Sequence, residues 1–269
     1  MKFCISGRQP YSVLKQADEI RISATDKDIV YDFIEKIPNK TIILNSDGYN
    51  FDKDYNFYQM CLDKFDNFIV EINNLECYKF YQEKGIPWFW SYALTSYVEL
   101  ELLVRLKPAY IRIAAPLSFD LETLHWRTNG IPLRLVANEF GPDYLFDTDP
   151  IRSQWIRPED VKVYDKYVDI LEFKISAEKE NSLKTEEALF RVFTNREWNG
   201  NLRLLFPEIE RDVDNRAILS AFGETRTVCG QRCYQDNSCH LCENAFWFAN
   251  FIKKEKESWQ EEMKQKSEQ

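Results

Sequence analysis

The chain has 269 residues and a formal charge of −9, with 44 acidic and 35 basic side chains. Hydrophobic residues make up 44% of it, which excludes a disordered protein and leaves room for one large domain or two small ones. The acidic balance argues against a protein that coats nucleic acid. No apolar run is long enough to predict a membrane span. The N-terminus reaches Arg8 and Pro10 too early for a signal peptide, so we expect a cytoplasmic protein without disulfides.

Short apolar segments rich in β-forming residues alternate with helical segments as far as about residue 195. The predicted strands cover residues 3–6, 19–23, 41–45, 67–71, 88–92, 109–114, 133–138 and 169–175. Capping residues, prolines and glycines mark helix ends between these strands. The helices predicted from these signals cover residues 28–37, 76–84, 96–107, 117–129 and 158–167.

Eight alternating strand and helix units predict a TIM-like (β/α)₈ barrel over residues 1–195. The alternative is an open, doubly wound parallel sheet, although no Gly-x-Gly-x-x-Gly turn follows the first strand. Residues 196–269 lack the alternation. We expect them to form a cysteine-rich extension that packs on the barrel and ends in a helix.

Four of the seven cysteines fall within fourteen residues, at Cys229, Cys233, Cys239 and Cys242. Short spacers allow turns to aim the flanking sulfurs at one point, so the cluster predicts a metal centre. The spacing fits either zinc or an iron–sulfur cluster, and chance clustering or two disulfides is the alternative. The other cysteines, Cys4, Cys61 and Cys77, are isolated in strand or helix patterns and are expected to be buried thiols.

Polar residues near the carboxyl ends of the strands are candidates for catalysis, because chemistry gathers at that end of a (β/α)₈ barrel. The candidate catalytic residues are Asp47, Glu71, Asn138 and Lys174. The alternative is that these positions are polar because loops are solvated.

Three arginines, Arg21, Arg112 and Arg134, lie inside otherwise apolar strands. A charge at such a position must be paired or must line a cavity. We predict that they bind a small anionic ligand through its carboxylate or phosphate group. The alternative is that they pair with Glu172 or reach past the helices to solvent.

Several motifs in a fixed order resemble the collagenase-like peptidase family, peptidase family U-32. The segment Trp155-Ile156-Arg157-Pro158-Glu159-Asp160 leads into the last helix before the eighth strand. Trp198-Asn199-Gly200-Asn201-Leu202 and Asp214-Asn215-Arg216 follow, and the cysteine cluster closes the pattern. Val136-Ala137-Asn138-Glu139 also fits the seventh strand of that family.

The resemblance implies a barrel with a 4Fe–4S cluster on the four clustered cysteines. It also implies oxygen-independent hydroxylation of RNA or of a small aromatic acceptor. Literal protease activity is the least favoured reading, because no nucleophile with a paired base is visible. Members of the family carry cysteines shortly after strand seven, whereas residues 139–150 contain none. A zinc-stapled barrel without enzymatic activity, serving as a binding or assembly module, is therefore the alternative.

Overall fold

A computed structural model describes most of the barrel region of the chain. The described residues are 1–23, 27–37, 39–45, 51–65, 67–113, 120–137, 156–173 and 182–195. In the C-terminal part they are 224, 227, 258–261 and 263–266.

Strands and helices alternate in chain order throughout this region. The strands are β1 (Lys2–Ser6), β2 (Glu19–Ser23), β3 (Thr41–Asn45), β4 (Asn67–Ile72), β5 (Trp88–Trp90), β6 (Ile111–Ile113), β7 (Leu133–Ala137) and β8 (Ile170–Phe173). The helices are α1 (Tyr11–Leu14), α2 (Lys27–Lys36), α3 (Phe51–Lys64), α4 (Leu75–Glu83), α5 (Tyr97–Leu106), α6 (Leu121–Arg127), α7 (Val161–Tyr164) and α8 (Ser182–Asn195). A 3₁₀ turn, Pro158–Asp160, precedes α7.

The eight strands form one parallel sheet in the order β5-β4-β3-β2-β1-β8-β7-β6. The two edges of this sheet, β5 and β6, approach each other. Next to them the Ala109 amide donates a hydrogen bond to the Trp88 carbonyl at 2.7 Å. A second link joins the Leu94 amide to the Arg112 carbonyl at 2.9 Å. The sheet is therefore a nearly closed barrel. The predicted TIM-like barrel is confirmed, and the open-sheet alternative is wrong.

Alternation along the strands produces two cores. One face of each strand packs toward the helices, as Ile20 and Ile22 of β2 do. The other face points into the barrel, where a second apolar cluster lies. That inner cluster consists of Cys4, Ile43, Ile69, Phe89, Tyr110 and Ile170. Several other inward positions carry the charged residues described below.

Predicted helix boundaries agree with the structure where a cap or a left-handed residue fixes the end. Helix α5 begins after Ser96, which forms a capping box with Glu99. It ends at Leu106, and the next residue, Lys107, is left-handed with a φ of 54° directly before Pro108. The predicted helix over residues 158–167 is shorter in the structure, because the 3₁₀ turn occupies its first residues.

Replacing Ser96 with alanine should lower the free energy of unfolding by about 1 kcal/mol, because the Glu99 amide loses its capping acceptor. Urea unfolding measures this change. The control is Ser12→Ala in α1, an exposed position that should change stability by less than about 0.5 kcal/mol. An equal effect of both substitutions would contradict the capping assignment.

The predicted extension over residues 196–269 lies mostly outside the described residues, so its packing on the barrel stays a prediction. Residues 258–261 and 263–266 are helical and exposed. Across the parts of the chain that the structure describes, no helix combines the length and apolar character needed to cross a bilayer.

Candidate active site

Six charged side chains from five strands meet inside the barrel, and we call them the barrel ion network. Three are acidic and three are basic, so their formal charges cancel. The members are Glu19 and Arg21 of β2, Glu71 of β4, Arg112 of β6, Arg134 of β7 and Glu172 of β8. Each alternates along its strand with residues that pack toward the helices, which explains why charge occurs in otherwise apolar segments.

Glu172 is the carboxylate that all three arginines approach, two of them through hydrogen bonds. Arg112 Nη2 donates to it at 2.7 Å and Arg134 Nη1 at 3.2 Å. Arg21 Nε lies 3.6 Å from its second carboxylate oxygen. The reading in which the arginines pair with Glu172 is therefore confirmed, and none of the three crosses the helix layer to reach solvent.

Glu71 bridges two of these arginines. Its carboxylate accepts from Arg112 Nη1 at 2.6 Å and from Arg21 Nε at 2.7 Å. Burial alone would raise the pKa of Glu71, but the positive charges of Arg112 and Arg21 hold it below its usual value. Glu71 is therefore an ionised counter-ion in the network, and its catalytic role stays a prediction.

The deepest part of the network surrounds Arg134. This side chain and Glu19 are both fully buried and hydrogen-bonded to each other. The Tyr110 hydroxyl donates to Glu19 at 2.8 Å. The rings of Phe89 and Tyr110 lie 5.0 and 4.9 Å from the Arg134 guanidinium carbon, where cation–π attraction adds to the ion pairs.

Arg21 is the most exposed member of the network, and we call the end of the barrel formed by the carboxyl ends of the strands its mouth. Arg134 is 0% and Arg112 3% exposed, whereas the side chain of Arg21 is 21% exposed. Arg21 uses its Nε for Glu71, and among the described residues no acceptor contacts its two Nη atoms. Arg21 is thus the member of the network that reaches the mouth.

Glu186 of α8 is a buried carboxyl at the same end of the barrel, and the sequence interpretation missed it. The Ser6 amide, at the end of β1, donates to it at 2.6 Å. Burial raises the pKa of Glu186 to about 7; the Glu172 charge adds to the rise, and the Ser6 hydrogen bond and the Arg21 charge oppose it. A carboxyl that titrates near neutral pH can both give and accept a proton, as general acid–base catalysis requires.

A cavity of about 650 Å³ opens beside the end of β1, between Gly7–Gln9 and helix α2. Gln9 is buried, and its side-chain amide donates to the Leu183 carbonyl at 2.9 Å. This bond ties the wall of the cavity to α8, the helix that carries Glu186.

Most other predicted site residues lie outside the described residues. These are the catalytic candidates Asp47, Asn138 and Lys174 and the metal candidates Cys229, Cys233, Cys239 and Cys242. Cys4, Cys61 and Cys77 are buried, as predicted. In the described ranges there is no group of histidine, cysteine and acidic side chains suited to a metal ion.

Thr227, two residues before Cys229, is described and contacts the barrel. Its carbonyl accepts from the Leu121 amide at 3.0 Å, and its own exposure is 2%. Leu121 is the first residue of α6, and helices that follow parallel strands begin at the carboxyl end of the sheet. The chain therefore returns to the mouth of the barrel directly before the cysteine cluster.

Comparison with known proteins finds a partial similarity. No protein-family model matches the chain. A stretch of 101 residues is 37% identical to a protein named uncharacterized protease MJ1657, from Methanocaldococcus jannaschii. The match covers 35% of this chain and 29% of that protein, so the chain spans less than a third of the relative's length. The similarity is a weak link between part of this chain and a protein with a protease name.

Proposed function

We propose that the chain is a barrel enzyme with a metal centre at its mouth and acid–base chemistry beside it. The proposed centre is a 4Fe–4S cluster on Cys229, Cys233, Cys239 and Cys242. Four thiols at short spacing are a donor set that suits such a cluster, which when bound would supply electron transfer. The reaction we propose is modification of a small acceptor, with hydroxylation as the type that the family resemblance implies.

The contact between Thr227 and Leu121 is the observation that carries this proposal. Two residues of extended chain span at most about 7 Å, so the first cysteine of the cluster stays within that reach of Thr227. Since Thr227 is bound at the start of α6, this contact supports a centre beside the mouth rather than at the opposite end of the barrel.

The groups at the mouth support an enzyme rather than an inert scaffold. Arg21 offers donors to an anion, and Glu186 titrates near neutral pH. The net charge of −9 disfavours RNA, whose phosphates need a basic surface. We therefore propose a small acceptor that enters the mouth, and RNA modification becomes an outcome for the experiment to test.

Metal analysis of protein purified without oxygen tests the centre. We expect about four irons and four sulfides per chain, with a brown colour. Cys239→Ala should lose most of the iron, because a cluster with three thiolates is poorly held. Cys61→Ala, which removes a buried thiol from α3, should keep it. One zinc per chain and no iron would contradict the cluster and favour the zinc-stapled binding or assembly module.

Proteolysis is the function that the relative's printed name raises, and it needs a separate assay. His125, the histidine that the structure describes, contacts the rings of Trp126 and Tyr167 and pairs with no described serine or cysteine. We expect the metal-loaded protein to release no peptides from labelled casein. Peptide release that persists through purification and is absent in Glu186→Gln would contradict the proposed hydroxylation and favour proteolysis.

A further inference from the structure

The three arginines of the barrel ion network differ in what they leave available. Both Nη atoms of Arg112 and both Nη atoms of Arg134 donate to carboxylates, and their Nε atoms are sealed from solvent. Arg21 has the opposite arrangement. Its Nε is bonded to Glu71, while both Nη atoms contact no acceptor among the described residues. Of the three predicted ligand-binding arginines, Arg21 alone has donors to offer.

The network also fixes the orientation of the Arg21 guanidinium. Glu71 lies 2.7 Å and Glu172 3.6 Å from its Nε, and both carboxylates are held in turn by Arg112. Because the guanidinium is planar, anchoring it at Nε restricts its rotation, and the 21% exposure of the side chain supports Nη donors that face the mouth. A forked pair of N–H donors matches the two oxygens of a carboxylate or a phosphate.

A second donor lies next to Arg21. Ser6 of β1 is its register partner on the adjacent strand, so the two residues are neighbours across the sheet. The Ser6 hydroxyl oxygen accepts from the Arg8 amide at 3.3 Å, which leaves its proton for another acceptor. Arg21 and Ser6 together present charged and neutral donors on the same side of the mouth.

We propose that Arg21 binds an anionic oxygen group, a carboxylate or phosphate of the acceptor, at the mouth of the barrel. This inference deepens the proposed function, because it names the charged group of a substrate for the same site. The network is neutral before the ligand enters, so the attraction comes from the oriented fork rather than from excess positive charge. Simple anions should therefore bind weakly but measurably.

Calorimetric titration of the full-length protein with malonate and with inorganic phosphate tests this inference. Wild type should bind at least one probe, and the preferred probe distinguishes a carboxylate from a phosphate substrate. Arg21→Lys keeps the positive charge beside Glu71 and Glu172 but loses the fork, so its affinity should fall at least about tenfold. Arg21→Gln should lose binding altogether.

Arg127→Gln is the matched control, because Arg127 is an exposed arginine at the far end of α6 from the mouth. It removes the same charge and should bind the probe as wild type does. Equal affinity in wild type and Arg21→Lys, or no binding of either probe by wild type, would overturn the inference. Because Arg21→Lys retains the network's charge balance, a folded variant is expected for this comparison. Iron content is measured separately. A protein without iron would contradict the proposed metal centre, and the titrations would still show whether Arg21 binds an anion.

Discussion

Replacing Arg134 with methionine should lower the free energy of unfolding by about 3–5 kcal/mol. Methionine fills similar space but leaves Glu19 with the Tyr110 hydroxyl as its remaining described partner. Glu19 is fully buried, so its charge would stay in the barrel without the arginine that neutralises it. Removing one partner of a buried pair costs far more than replacing the pair, because an uncompensated charge remains.

Urea unfolding of two further variants checks this interpretation. The double variant Arg134→Met/Glu19→Gln removes the stranded charge and should recover part of the lost stability. Arg127→Met removes an exposed arginine that lies 3.7 Å from Glu101, and it should cost less than about 1 kcal/mol. An Arg134→Met effect as small as the Arg127→Met effect would show that the network contributes little to the folded state.

The barrel could be predicted from the sequence because its strands are buried on both faces. Residues 41–45 and 19–23 are predicted with the same bounds that the structure has for β3 and β2. The predicted strand ends are less accurate where neighbouring strands stop pairing. The strand β6, for example, begins two residues later than predicted. Helix α1 is a single turn, too short to show the periodicity that identifies a helix.

The sequence predicts the arginines of the candidate site but not Glu186. Three arginines in apolar strands must be paired or line a cavity, and the sequence indicates Glu172 as a partner. Glu186 could not be found from strand ends, because its position depends on Ser6, which lies 180 residues earlier in the chain. One signal was present in α8, where Glu186 precedes Leu189, Phe190 and Phe193 at helical spacing. An acidic residue on the apolar face of a helix is expected to be buried, even when the sequence does not indicate its hydrogen-bond partner.

Replacing Glu186 with glutamine should remove a pH dependence from stability. The pKa of Glu186 is about 7 in the folded protein, against an ordinary value of 4.5. Between these values the folded state keeps a proton that the unfolded chain releases. The contribution of Glu186 to the free energy of unfolding is therefore greatest below pH 4.5, and it is lost as the pH rises through about 7. The full shift corresponds to about 3 kcal/mol, because each pKa unit is worth about 1.4 kcal/mol.

Glutamine carries no titrating proton, and its side-chain oxygen can still accept from the Ser6 amide. The variant should match wild type near pH 5 and exceed its stability near pH 8 by up to about 3 kcal/mol, measured by urea unfolding. Glu187→Gln, at the next position, removes a partly exposed carboxylate that pairs with Arg191 at 2.7 Å, and it should keep the pH slope of wild type. If Glu186→Gln keeps that slope as well, Glu186 is ionised at neutral pH and does not serve as the acid–base group at the mouth.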